Sequence, residues 1–182
     1  DLAEEFSVDS LRYYLMRNMV LGQDASFSRL SFIKRYNADL ANDYGNVINR
    51  ITILIKKNFD GLCPEPGQYN KIEFNLIKLC DQIVYEVEEN MNQLKIHDAL
   101  ESIFTLIREI NKYLENKQPW KTIKEDKSQK SDAATCLYVS VELLRISSEL
   151  LFPFMPEKTE ITLNALSQKV SHNLKFGLIK PQ

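Results

Sequence analysis

The sequence predicts an all-α fold, a bundle of long amphipathic helices. Apolar residues recur at three- and four-residue steps through four separate segments, the spacing that lines one face of a helix. Only five glycines and six prolines are spread over 182 residues, so the segments between them run long. No stretch alternates with period two over a length that rivals these runs. At 44% hydrophobic and 26% charged residues, the chain has enough apolar mass for one domain with a real core.

Taken in order, Ser7 or Asp9 caps a first helix whose apolar face carries Leu11, Tyr14 and Leu15. Residues 19–28 lose the helical period and read as an extended connection, with Ser28 available to cap the next helix. That second helix is expected over about 29–58, its stripe formed by Tyr36, Leu40, Tyr44, Val47, Ile51 and Leu54. Two prolines and two glycines between Asn58 and Gly67 forbid its continuation. The third, about 70–93, carries Ile72, Leu76, Leu79, Ile83, Val87, Met91 and Leu94; the fourth starts near Ile96 and carries Ala99, Ile103, Leu106, Ile110 and Tyr113. Asp98 suits its first turn. Pro119 biases Gln118 away from the helical region, so a turn and a polar stretch, 121–132, come next. A fifth helix, about 131–151, has a seam of Ala134, Leu137, Val141, Leu144, Ser148 and Leu151. Pro156 opens a short last helix to about Leu166, and the tail 168–182 is weakly patterned.

The bulk numbers exclude several functions. A net charge of −2 exerts no global pull on nucleic acid or a membrane surface, so any RNA would meet a local patch. Three scattered cysteines without a Cys-x-x-Cys spacing argue against a zinc site or a disulfide framework, and fit a reducing, cytoplasmic compartment. No apolar run approaches the ~18 residues needed to span a bilayer. His97 and His172 lack a partner at ligand or triad spacing, and no glycine-rich phosphate loop is present. No cluster of titratable groups nominates a reaction centre.

Two features stand out. Beside the stripe of the second helix, Asn42, Asn46 and Arg50 succeed one another at four-residue steps and form a neighbouring row. Amides and a guanidinium in such a row offer fixed donors and an acceptor to a planar polar ligand; a solvated helix flank is the plain alternative. The other is Trp120, the sole tryptophan, amid six lysines (112, 117, 121, 124, 127 and 130) against Glu115, Glu125 and Asp126. A rigid ring among cations suits single-stranded RNA, with a base on the ring and lysines on phosphate; a ring folded over the bundle end is the structural counterpart.

Several stretches together resemble the anticodon-binding domain of methionyl-tRNA synthetases, class I aminoacyl-tRNA synthetases. They are Val8–Leu15 (VDSLRYYL), Gly22–Phe27 (GQDASF), Tyr36–Arg50 (YNADLANDYGNVINR), Asn111–Leu114 (NKYL) with Pro119-Trp120, and Phe152–Pro156 (FPFMP). The resemblance covers nearly the whole chain and implies the anticodon-binding helix bundle of class Ia synthetases. It implies that Asn46 and Arg50 contact a CAU anticodon, that Trp120 behind Pro119 stacks on its cytosine, and that Glu115 helps exclude wrong anticodons. It further implies a division into a stem-like end of a linker (1–28), the bundle (29–167) and a C-terminal linker packing back (168–182). The partners it implies are the anticodon loop of tRNA(Met) and a catalytic domain, with no DNA and no membrane.

The family's His-Ile-Gly-His and Lys-Met-Ser-Lys-Ser signatures are absent, and so is its zinc-bearing insert. The expectation is therefore a piece of a longer protein that carries no cofactor, while ATP, Mg and Zn belong to the parent methionine–tRNA ligase. Two other readings remain open. One is the anticodon domain of a synthetase for leucine, isoleucine, valine or cysteine, and the other a helical protein–protein scaffold without RNA binding.

Overall fold

A computed structural model describes residues 2–125 and 130–181, and all regular structure among them is helical. A short helix α1 (Leu2–Phe6) precedes α2 (Val8–Asn18); an extended connection leads to α3 (Arg29–Arg35), a π-helical segment (Tyr36–Gly45) and α4 (Asn46–Asn58). Then come α5 (Lys71–Asn92), α6 (Ile96–Lys117), α7 (Pro119–Glu125), α8 (Lys130–Leu151) and α9 (Pro156–Ala165). Helices α5, α6 and α8 pack in sequence, with α4 and α7 laid against them.

The second predicted helix spans the expected residues but is not one α-helix. Its middle third is wound i→i+5. There Asp39, only 4% exposed, accepts from Tyr13 Oη at 2.5 Å and pairs with Arg35 at 3.3 Å. The wider winding brings the Leu40 carbonyl over Gly45, where an added Cβ would lie 3.0 Å from the oxygen. The even Asn42–Asn46–Arg50 row is therefore interrupted. Asn42 stays on the exposed π segment, while Asn46 begins α4.

Other expectations also shift. Ser7 does cap α2, but Asp9 turns away and accepts the Lys158 N–H at 2.8 Å, in the first turn of α9. The buried face of α2 is Tyr13, Tyr14 and Arg17, with Leu15 exposed, because the Tyr13 hydroxyl must reach Asp39. Ile72, in the first turn of α5, and Leu94, just past its end, are exposed. The chain does turn at Gln118, which is left-handed, but the polar stretch beyond it opens as a helix. Pro119 starts α7, where its missing N–H costs nothing.

The largest difference is α8, expected to bury one seam and in fact buried from Ala133 through Leu151 on all sides. The polar groups this traps are matched to backbone. Arg145 pairs with Glu142 at 2.9 Å and donates to the carbonyls of Asn173 and Lys175 at 2.7 and 2.5 Å. Glu149 accepts from the N–H groups of Ser171 and His172, and Glu142 from that of Ile179. The tail thus lies along α8, and Phe176 meets Tyr69 and Tyr138 edge-on.

Candidate nucleic-acid interface

Two helices supply facing pairs at four-residue spacing. Asn46 and Arg50 sit one turn apart on α4; Asn111 and Glu115 sit one turn apart on α6. Asn46 Nδ2 donates to Asn111 Oδ1 at 3.0 Å, and Arg50 Nη2 meets Glu115 Oε2 at 2.8 Å. Beyond α6, Gln118 adopts the left-handed conformation (φ 45°) and reverses the chain, and Pro119 then carries Trp120 into the first turn of α7. The Arg50 guanidinium carbon lies 4.7 Å from the centre of the Trp120 ring. So Asn46, Arg50, Glu115 and Trp120, dispersed over seventy-odd residues of sequence, occupy one patch, with Pro119 buried behind the ring.

Asn111 belongs to this patch as well, and residue-type reasoning alone did not single it out. Its Nδ2 donates to the Asp43 carbonyl at 3.0 Å. A carbonyl can only accept, so the Asn111 amide has one orientation, with Oδ1 toward Asn46. That in turn commits Asn46 Nδ2 and leaves the exposed Asn46 with Oδ1 as its acceptor for a ligand. The available signal was the four-residue spacing to Glu115, visible only once the two helices are known to face each other.

The ring of lysines is thinner than expected. Lys117 pairs with Glu73 at 2.9 Å, Lys112 with Glu109 at 3.2 Å, and Lys130 lies 5.2 Å from the Phe59 ring. Lys121 is exposed. Lys127, Asp126 and the side chains of Lys124 and Glu125 lie outside the described residues.

Other reactive groups are occupied or quenched. Burial pushes the thiols of Cys80 and Cys136 up to about 12 and that of Cys63 to about 11, so all are neutral at physiological pH. His97 packs on the Arg17 guanidinium, with Nδ1 3.0 Å from Nη1. Among the described residues no group of three or more His, Cys, Asp or Glu could hold a metal ion, and no helix is long and apolar enough to cross a membrane.

The bundle has relatives among class I tRNA synthetases. The sequence pattern of the family described as the anticodon binding domain of methionyl tRNA ligase matches residues 63–175, and that of class I tRNA synthetases (M) matches residues 1–52. Methionine–tRNA ligase of Caldanaerobacter subterraneus is 36% identical over 99% of this chain and 29% of its own length; that of Clostridium tetani is 40% identical over 87% and 25%. The solved structure of Mycobacterium tuberculosis methionyl-tRNA synthetase in complex with methionyl-adenylate superposes with a TM-score of 0.90 at 34% identity, covering 97% of this chain and 36% of that one. The chain belongs to the family of methionyl-tRNA ligase anticodon-binding domains. It spans about a quarter to a third of the length of the relatives it matches.

Proposed function

We propose that this chain reads the CAU anticodon of tRNA(Met) and holds that tRNA for a methionine-charging catalytic body. The observation that carries this reading is the Arg50 guanidinium held between Glu115 and the face of Trp120. A base arriving there finds a stacking surface, and Asn46 Oδ1 beside the remaining Arg50 N–H groups offers an acceptor next to donors. The Watson–Crick edge of cytosine presents the complement, one amino donor beside two acceptors. A base stacked on the ring gains about 1–3 kcal/mol, against about 0.5–1 kcal/mol for an exposed cation over the same ring, so the base can displace Arg50 from the ring. Glu115 keeps the guanidinium nearby and disfavours a base that places a carbonyl where cytosine places its amino group.

In this reading residues 1–28 form the stem toward the catalytic body, 29–167 the reading bundle and 168–182 a tail returning along it. The protein works in the cytoplasm, and ATP, Mg and Zn serve the parent ligase rather than this chain. Titration of the chain with a CAU stem-loop and a one-base variant tests the proposal. A clear preference for CAU supports it, and equal or absent binding refutes it. Pyrophosphate exchange with methionine and ATP should give no rate above buffer.

A further inference from the structure

The corner between α6 and α7 is fixed from beneath. Glu73, fully buried in the first turn of α5, accepts from Tyr113 Oη at 2.7 Å and from the Asn70 N–H at 3.0 Å, and it pairs with Lys117 Nζ at 2.9 Å. Lys117 is the last residue of α6, and its ammonium lies 5.8 Å from the centre of the Tyr113 ring. Burial by itself would raise the Glu73 carboxyl, but hydrogen bonds from Tyr113, Lys117 and the backbone N–H groups of Asn70 and Glu73 together outweigh it and hold the group below the usual carboxylate range. The Glu73 carboxylate therefore stays ionised at neutral pH. An ion pair of this kind gives little net stability over an apolar contact, yet it holds one geometry in preference to others. Three residues beyond Lys117 stands Trp120, reached through the left-handed Gln118 and the rigid Pro119. That short path is tied at both sides: the Gln118 N–H donates to the Leu114 carbonyl at 3.0 Å, the Lys121 N–H donates to the Gln118 carbonyl at 2.8 Å, and Pro119 has a fixed φ.

We propose that Lys117 is a positioning residue for base stacking: paired with Glu73, it sets the α6–α7 corner at which Trp120 meets Arg50. The proposal rests on the anticodon reading above, and it reassigns Lys117 from the phosphate-facing lysines to a half-buried brace on a buried carboxylate.

Trp120 is the sole tryptophan, so its emission and its quenching by acrylamide report on this corner without RNA. The variants are Lys117→Met, the charge-balanced double variant Glu73→Gln with Lys117→Met, and Lys117→Arg. Ile83→Ala, a core truncation on α5 ten residues from Glu73, controls for general loosening. The double variant leaves no buried charge unpaired, so it folds even if the single one does not. Both Met-containing variants should shift Trp120 emission to the red, raise its quenching, and weaken CAU stem-loop binding about tenfold, as a misplaced stacking surface would. Lys117→Arg should restore all three, and Ile83→Ala should change none of them. Wild-type emission and quenching in the folded double variant would overturn the proposal, and so would an equal shift in Ile83→Ala. A wild-type chain that fails to prefer CAU refutes the anticodon reading instead, while the emission measurements still decide whether Lys117 places the ring.

Discussion

Replacing Trp120 by alanine separates stacking from folding. The ring is half-buried at the start of a short helix, its centre 4.7 Å from the Arg50 guanidinium carbon, so the folded protein loses a cation–ring contact of about 0.5–1 kcal/mol together with the burial of part of the ring, about 1–3 kcal/mol. Bound RNA loses the stacking platform, about 1–3 kcal/mol per base, or roughly 5- to 150-fold in affinity. The first loss lowers the thermal midpoint of the free chain; the second lowers affinity only for the loop whose base stacks there. Fluorescence-anisotropy titrations with a labelled CAU stem-loop and a scrambled loop, at two salt concentrations, measure this directly. Discrimination between the loops should collapse while the salt slope stays as in the wild type, because no phosphate contact has been removed. An equal loss for every loop, or none at all, would show that Trp120 only closes the end of the bundle.

Lys121→Ala should weaken all loops alike and flatten the salt dependence, the signature of a phosphate contact; a selective loss for CAU would refute that role. Asn111→Ala should free the Asn46 amide to rotate and narrow the CAU preference, with about 1 kcal/mol lost from the hydrogen bonds it makes; unchanged discrimination in stem-loop titrations would show that Asn46 needs no orienting partner. For pH, the folded-state carboxyl of Glu73 lies below its unfolded value of about 4.3. Its contribution to stability is therefore fully present above that value and is lost as pH falls through the lower, folded one. Denaturation of wild type and Glu73→Gln between neutral pH and pH 3 should show the gap between them closing on acidification; a gap that widened would reverse the sign assigned to the group.

Helix positions were legible in the sequence because they are set by local rules. Lys71–Asn92 and Ile96–Lys117 fall where three- and four-residue spacing and the flanking breakers put them. Family membership was legible for a similar reason: Tyr36–Arg50 and Pro119-Trp120 are contiguous strings, and the patterns matched over residues 1–52 and 63–175 take in both. What only the tertiary structure decided depends on which faces meet. Periodicity offers α8 a single seam, but α4, α5, α6, α9 and the tail all close on it, so Glu142, Arg145 and Glu149 become internal ties for the 171–179 backbone. Within the π winding of Tyr36–Gly45, Asp39 meets Tyr13 from another helix, an interaction no local propensity encodes. Lys117 and Lys121 are alike as residues in one basic stretch, yet one faces a buried carboxylate and the other faces water. Charge is a property of the sequence, but whether a charge is spent inside the fold or offered to RNA depends on the direction of the helix that carries it, and packing alone sets that direction.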